Sequence, residues 1–207
     1  CRGFLVVSKN LTLVGAKGDP TLLGRRDSGD ETYERVMEVA SGATVVMRGL
    51  TVRSIGVDRK EGISIVNRGT RRLEDSRVDG GPPTAIWNHG TLRLTRSTVT
   101  GMSGRGNAAI VNSGSATVAK SRNTDVYNSE GGGCVSNRRS MTIRNSVVSR
   151  CNGNFSGGIA NGGTMTILNS EITDNQGDYE AAGIENGGRM TIIGSEVTGN
   201  VGWSKPG

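Results

Sequence analysis

Gly157–Asn175 reads GGIANGGTMTILNSEITDN, and Ala182–Asn200 reads AGIENGGRMTIIGSEVTGN. At an offset of 25 residues, Ile159 meets Ile184, Asn161 meets Asn186, Met165 and Ile167 meet Met190 and Ile192, and Ser170 meets Ser195. An internal period of roughly 20 to 50 residues marks a solenoid, propeller or array, so it decides the fold before any local pattern does. The copy runs back through the chain. Asn67, Asn88, Asn112, Asn137, Asn161 and Asn186 recur at gaps of 21, 24, 25, 24 and 25. Ser76, Ser97, Ser121, Ser146, Ser170 and Ser195 recur at the same gaps. Two columns sharing one set of gaps place every length change outside the block from Asn to Ser. Val39, Val45, Met47, Leu50 and Val52 make a weaker copy with Ser41 in the Asn slot, and Leu5, Leu11 and Leu13 make the first. The expectation is about eight coils of 21–27 residues.

Within a coil the apolar residues alternate, as in Met165 and Ile167 between Thr164, Thr166 and Leu168, and no helical period occurs. Three short strands fit one coil. Strand a carries Ile159, strand b Met165 and Ile167, and strand c Ser170 and Ile172. Asn-x-Gly turns the chain between a and b; Asn145, Asn169, Gly194, Gly15 or Gly49 turns it between b and c. Coils stacked on their own copies make parallel sheets at a spacing of roughly 4.8 Å. The inward ladders read Ile65, Ile86, Ile110, Val135, Ile159, Ile184 on a; Leu73, Leu94, Val118, Ile143, Ile167, Ile192 on b; and Val78, Val99, Val148, Ile172, Val197 on c. The Asn column is expected to form an amide ladder inside the first corner. The fold class is therefore all-β, a parallel solenoid in one domain over residues 1–207. Residues 1–36 supply the first coil and a charged surface insert, GRRDSGDETYERV, expected to cover the lower end; residues 37–207 supply the regular coils.

This pattern resembles the right-handed, single-stranded parallel β-helix repeat family, which includes pectin-degrading enzymes, epimerases and bacterial surface proteins. Gly157–Ala160, GGIA, is similar to the GGA-I repeat of polymorphic outer-membrane proteins; the F-x-x-N motif that accompanies it there does not occur in this chain. The resemblance implies a right-handed coil, a secreted or cell-surface location of bacterial type, and a polysaccharide partner. One scaffold hosts many activities, so the function must be read from sites.

Composition narrows the classes. Gly is 33 of 207 residues and Pro only 4, which suits many tight corners rather than a disordered tract. No apolar run approaches the length of a membrane-spanning helix. The chain begins at Cys1 rather than Met, as after removal of a leader or, less in keeping with the strand FLVV that follows Arg2, at a lipid anchor. Residues 48–150 carry a net charge of +10 and residues 151–207 a net of −4. A basic waist favours polyanions such as uronate-rich polysaccharide. Nucleic acid is not expected, because neither a groove-reading helix nor a nucleic-acid motif is present. Three Cys are present. Cys134 and Cys151 flank the third corner of one coil, where a bridge is geometrically possible, and Cys1 is left over.

The third corner carries the candidate site. Tyr127, Phe155, Tyr179 and Trp203 fall at it on successive coils, and Trp87 points outward from strand a beside the same edge. Aromatics along an edge offer stacking surface for sugar rings or pack over the corner. With Arg105 and Arg150 for carboxylates, they form the expected ligand-binding set. For an enzyme, the resemblance implies a polysaccharide lyase or epimerase acting on uronate chains, and Arg150, Asp125 and Asp174 are its candidate residues. Asn123-Thr124-Asp125 is similar to the first polygalacturonase signature, but the Asp-Asp, Gly-His-Gly and Arg-Ile-Lys segments that follow it in that family do not appear. Asn123 stands in a column of Val and Ile, which a register shift would explain. His89, the one His, sits in a surface turn. The positions read as outward on strand a (Ser64 and Val66, Ala85 and Trp87, Ala109 and Val111, Cys134 and Ser136, Gly158 and Ala160, Gly183 and Glu185) hold one carboxylate. That is too few for a Ca²⁺ cage, so neither metal nor cofactor is expected. Thr164-x-Thr166, Ser140-x-Thr142 and Ser115-x-Thr117 form a small hydroxyl grid of the kind ice-binding solenoids present, interrupted by Arg189, Arg93, Arg72 and Arg71.

Overall fold

The computed structural model describes residues 4–16, 18, 20–25, 35–55, 62–128, 131–178 and 181–202. Every pairing between its strands is parallel, and none of the described residues is helical. Sheet a stacks Leu5–Val7, Met37–Val39, Ile63–Asn67, Thr84–Asn88, Ile110–Asn112, Val135–Asn137, Ile159–Asn161 and Ile184–Asn186. Sheet b stacks Leu11–Val14, Thr44–Arg48, Thr70–Glu74, Thr91–Thr95, Ser115–Ala119, Ser140–Arg144, Thr164–Leu168 and Arg189–Ile193. Sheet c runs from Thr21–Arg25 to Glu196–Thr198 and takes in short strands at the third corner, 11 in all. Each step along a sheet is one coil along the chain, so the molecule is a β-solenoid of three sheets. No helix among the described residues is long and apolar enough to cross a membrane.

The inward columns stand in the expected register. Ile65, Ile86, Ile110, Val135, Ile159 and Ile184 pair in turn on sheet a, and Leu73, Leu94, Val118, Ile143, Ile167 and Ile192 on sheet b. Apart from Ile184 and Ile192 in the last layer, all are buried. Aligned aliphatic ladders of this kind remove their whole side chains from water, about 1.5–3 kcal/mol each, and so a chain with only 33% hydrophobic residues still builds a continuous core.

Two polar ladders run beside that core. Each Asn Nδ2 donates to the Oδ1 of the next layer, from Asn67 through Asn186, at 2.6–2.8 Å. Each Ser backbone N–H donates to the next layer's Ser Oγ at 3.1–3.2 Å from Ser76 through Ser195. Both ladders stop at the same layer. Val39, not Ser41, pairs with Asn67, so the slot below the amide ladder is apolar and Asn67 Oδ1 is left without a partner. Ser41 is exposed in the turn beyond. Met37 takes the inward position assigned to Val39 from the sequence. The two lowest layers are also longer, since Leu5 pairs with Met37 and Met37 with Ile65.

The turn between b and c needs one residue with left-handed backbone. Gly49, Asp75, Arg96, Lys120, Asn145, Asn169 and Gly194 fill it in successive layers with φ between 46° and 60°. The sequence pointed to Gly and Asn here, but Asp, Arg and Lys accept the same strain because the surrounding ladders over-determine the corner.

Residues 17 apart form a lock across the third corner: Ala85 and Met102, Ala109 and Val126, Cys134 and Cys151, Gly158 and Asn175, Gly183 and Asn200. Cys134 and Cys151 are joined by a disulfide. In the next two layers Asn175 and Asn200 take the place of the second Cys and pack on Gly158 and Gly183; a Cβ on either glycine would stand 3.0 or 2.8 Å from the amide nitrogen. The lock buries Ala85, Ala109 and Cys134, which the alternation had placed outward, and Ser64, Val66 and Val111 are buried with them.

Two further readings change. Asn123 is in register between Val99 and Val148, with no shift; its burial is relieved by a bond from Nδ2 to the Cys134 carbonyl at 3.0 Å. Arg71 does not interrupt the outer hydroxyl grid. It faces inward, fully buried, in the column Val45, Arg71, Leu92, Ala116. Strict alternation from Leu73 requires this: one of the adjacent Arg71 and Arg72 must enter the core. Most of the charged insert, residues 26–34, lies outside the described residues.

Candidate functional site

Trp87 stands on the outer face of sheet a between Val66 and Val111, in the same register column. Both valines are buried and supply an apolar bed for the indole. His89, around the following turn, stacks on Trp87 with ring centroids 5.2 Å apart and planes 29° from parallel. Partial burial and the nearby Arg68 charge hold the imidazole pKa below its usual range.

A cavity of about 430 Å³ opens beside the indole, lined by Arg35, Gly62, Ile63, Pro83, Thr84, Trp87, Arg105, Gly106 and Asn107. Its walls come from separate layers. Arg35 leads into the strand two layers below, Pro83 precedes and Thr84 opens the Trp87 strand, and residues 105–107 lead from the third corner of that coil into the strand one layer above. Gly106 lets that segment lie against Pro83, since a Cβ there would come within 2.7 Å of the proline ring. Arg35 is anchored by Glu38 at 2.9 Å, and Arg68 holds the same carboxylate at 3.2 Å. The arrangement presents an aromatic face, a proline and guanidinium groups to one space of ligand size. Trp87 Nε1 is buried and has no hydrogen-bond partner among the described residues. A buried unpaired donor is uncommon enough to mark a place where an acceptor is missing.

The other expected site residues separate. Tyr127 and Phe155 are both exposed, at 57% and 50%. Tyr127 lies in the column Ser103, Tyr127, Asn152, Gln176, and Phe155 falls three residues beyond Asn152, so the two do not form one register column. Tyr179 and Trp203 lie outside the described residues. Of the expected ligand-binding set, Trp87 and Arg105 are brought together at the cavity. Sequence reasoning misses Arg35, Pro83, Thr84 and Asn107, because Arg35, Pro83 and Asn107 lie outside the paired strands, Thr84 only opens one, and the cavity forms where third-corner segments of unequal length stack.

Arg150 and Asp125 come together differently. Their left-handed corner positions, φ 52° and 57°, turn both side chains outward. Arg150 donates to both Asp125 oxygens at 2.6 and 2.8 Å. Those bonds, with one from the Thr124 hydroxyl at 2.6 Å, hold the Asp125 carboxyl at about 2 despite some desolvation. Asp125 in turn raises the Arg150 pKa, with a weaker contribution from Asp174. A guanidinium held more firmly protonated is poorly suited to act as a base. Among the described residues no three His, Cys, Asp or Glu side chains cluster as metal ligands.

On sheet b, Thr70, Thr91, Ser115, Ser140 and Thr164 form one outer column, and Thr117, Thr142, Thr166 and Thr191 a second, which Arg93 and Arg72 continue downward. Comparison of the chain with protein-family models, with curated proteins and with solved structures gives no match.

Proposed function

We propose that the protein is a non-catalytic β-solenoid, secreted or displayed at a cell surface, that binds an acidic saccharide in the cavity beside Trp87. The observation that carries this reading is the meeting of Trp87 and Arg105, with Arg35 held by Glu38 beside them, at one space of about 430 Å³. An indole face supports the apolar face of a sugar ring, and guanidinium groups bind carboxylates with directed hydrogen bonds. The buried Cys134–Cys151 bridge suits an oxidising compartment. The lyase or epimerase reading lacks a comparable support, because its candidate base, Arg150, is engaged by Asp125 on the surface.

The test uses a Trp203→Phe background, in which Trp87 is the sole tryptophan and is excited selectively at the red edge of its absorption. Trigalacturonate is expected to change its fluorescence saturably, neutral maltotriose to leave it unchanged, and Arg105→Ala to weaken the response roughly tenfold, as for loss of one charge-assisted contact. Pectate incubated with the protein should yield no absorbance from unsaturated product. Wild-type affinity for trigalacturonate in Trp87→Ala, measured by titration calorimetry, would remove the cavity from the reading, and steady product formation would replace binding with catalysis.

A further inference from the structure

The solenoid treats its surface cations in two ways. Some are neutralised by a carboxylate: Arg48 by Glu74 and Arg96 by Asp75 one layer away, Arg53 and Arg77 by Asp79, Arg150 by Asp125. Others are exposed and have no ion-pair partner among the described residues: Lys9, Arg138 and Arg139 in the turns between sheets a and b, Arg189 in the last layer of sheet b, and Arg72, Arg93, Lys120, Arg122 and Arg144. The last five follow one another through consecutive layers. Arg72 and Arg93 are register partners on the outer face of sheet b. Arg144 pairs with Ala119, the residue before Lys120, and Lys120 N–H donates to the Arg144 carbonyl at 3.1 Å. Arg122 opens the sheet c strand two residues after Lys120. Four consecutive layers thus each set an uncompensated cation on sheet b or its edge with sheet c. The run extends roughly 14 Å along the axis at one layer per 4.8 Å.

Like charges in directly paired positions repel and work against the sheet. The neighbouring carboxylates that could relieve them, Glu74 and Asp75, are already engaged by Arg48 and Arg96. The outer column Thr70, Thr91, Ser115 and Ser140 lies alongside and offers hydroxyl donors.

We propose that this face of sheet b is a second binding surface, a track for a linear acidic polysaccharide laid along the solenoid axis. It is distinct from the cavity on sheet a. The charge of the track calls for a polyanion. A glycan is favoured over nucleic acid because the outer positions of sheet b hold Thr, Ser, Arg, Glu74, Val14, Val46, Ala119, Leu168 and Ile193 without a single aromatic ring. Single-stranded nucleic acid is held by stacking its bases on such rings, and a flat sheet has no element to enter a duplex groove.

The experiment compares fluorescein-labelled polygalacturonate binding by the wild type, Arg72→Thr/Arg93→Thr, and Arg138→Gln/Arg139→Gln, which removes the same charge at the a–b corner. The track variant should bind roughly tenfold more weakly, with a salt dependence shallower by about one to two in log–log slope. The corner variant should stay near the wild type. Equal losses in both variants would reduce the effect to net charge and overturn the track. Tighter binding of poly(dT) than of polygalacturonate would overturn the glycan assignment. Trp87→Ala separates the two surfaces: it should abolish trigalacturonate binding at the cavity while the long polymer still binds. If trigalacturonate binding survives but the track variant loses the polymer, the cavity fails and the track stands.

Discussion

Arg71→Leu is expected to make the protein more stable than the wild type, by roughly 1–4 kcal/mol, the range found when buried ionic groups are replaced by well-packed apolar ones. Arg71 is fully buried, and its guanidinium contacts the Met37 and Met47 sulfurs instead of a carboxylate. Nε has no partner among the described residues. Thioether sulfur is a weak acceptor and offers little return for stripping water from a cation. The column neighbours Val45 and Leu92 show that an aliphatic side chain fits the position. Thermal unfolding should show the gain as a rise in Tm, at about 2–4 °C per kcal/mol for a chain of this size. The pH dependence gives a second readout. Burial lowers the Arg71 pKa from the usual arginine range to about 9. Below about 9 both folded and unfolded chains hold the proton, and the penalty of burying the charge is constant. From about 9 up to the usual arginine range the unfolded chain binds a proton that the folded chain has released, so wild-type stability gains with rising pH. The advantage of Arg71→Leu should therefore be full at neutral pH and shrink above about pH 9. A variant less stable than the wild type at neutral pH would mean that the guanidinium is satisfied in the core.

Removing the disulfide is expected to have an effect of similar size and opposite sign. Cys134 and Cys151 open and close one coil, with a sequence separation of 17. Closing a loop of about that length restricts the unfolded chain by roughly 3 kcal/mol. The neighbouring layer supplies a control for packing, because Ala109 and Val126 occupy the equivalent positions without a bond. Cys134→Ala/Cys151→Val should therefore keep the fold and lose about 3 kcal/mol. Reduction of the wild type under denaturing conditions, followed by refolding with a thiol present, should reproduce the loss. An unchanged denaturation midpoint would assign the corner's stability to the Gly–Asn and Ala–Val contacts alone.

The repeat made the architecture legible because a solenoid writes each contact at a fixed separation. Ile159 over Ile184 and Asn161 over Asn186 are visible as identities in the amino-acid sequence itself, and the aliphatic columns above Met37 stand where the period put them. Legibility failed where the period was weak or one-sided. In the second layer Val39 takes the Asn slot because nothing below it continues the amide ladder, and the polar Ser41 drew the alignment two residues away. Arg71 was readable from alternation, but its charge argued for the surface. The lock at a separation of 17 was also in the sequence, seen only in its cysteine member. The cavity was not readable. Trp87 and Arg105 were each chosen for their chemistry, yet what joins them is the stacking of third-corner segments of unequal length, which no column records. The same unequal lengths put Phe155 outside the column of Tyr127, although both occur once per coil.

Trp87 and its cavity stand at the centre of the proposed ligand site, and the most direct measurement is a titration of the ¹⁵N-labelled protein with trigalacturonate, followed residue by residue in amide and indole spectra. The Trp87 indole N–H, which has no acceptor among the described residues, is expected to move furthest, together with the amides of Thr84, Arg105, Gly106 and Asn107. Shifts confined to Tyr127 and Phe155, with the Trp87 indole signal stationary at saturation, would contradict that assignment.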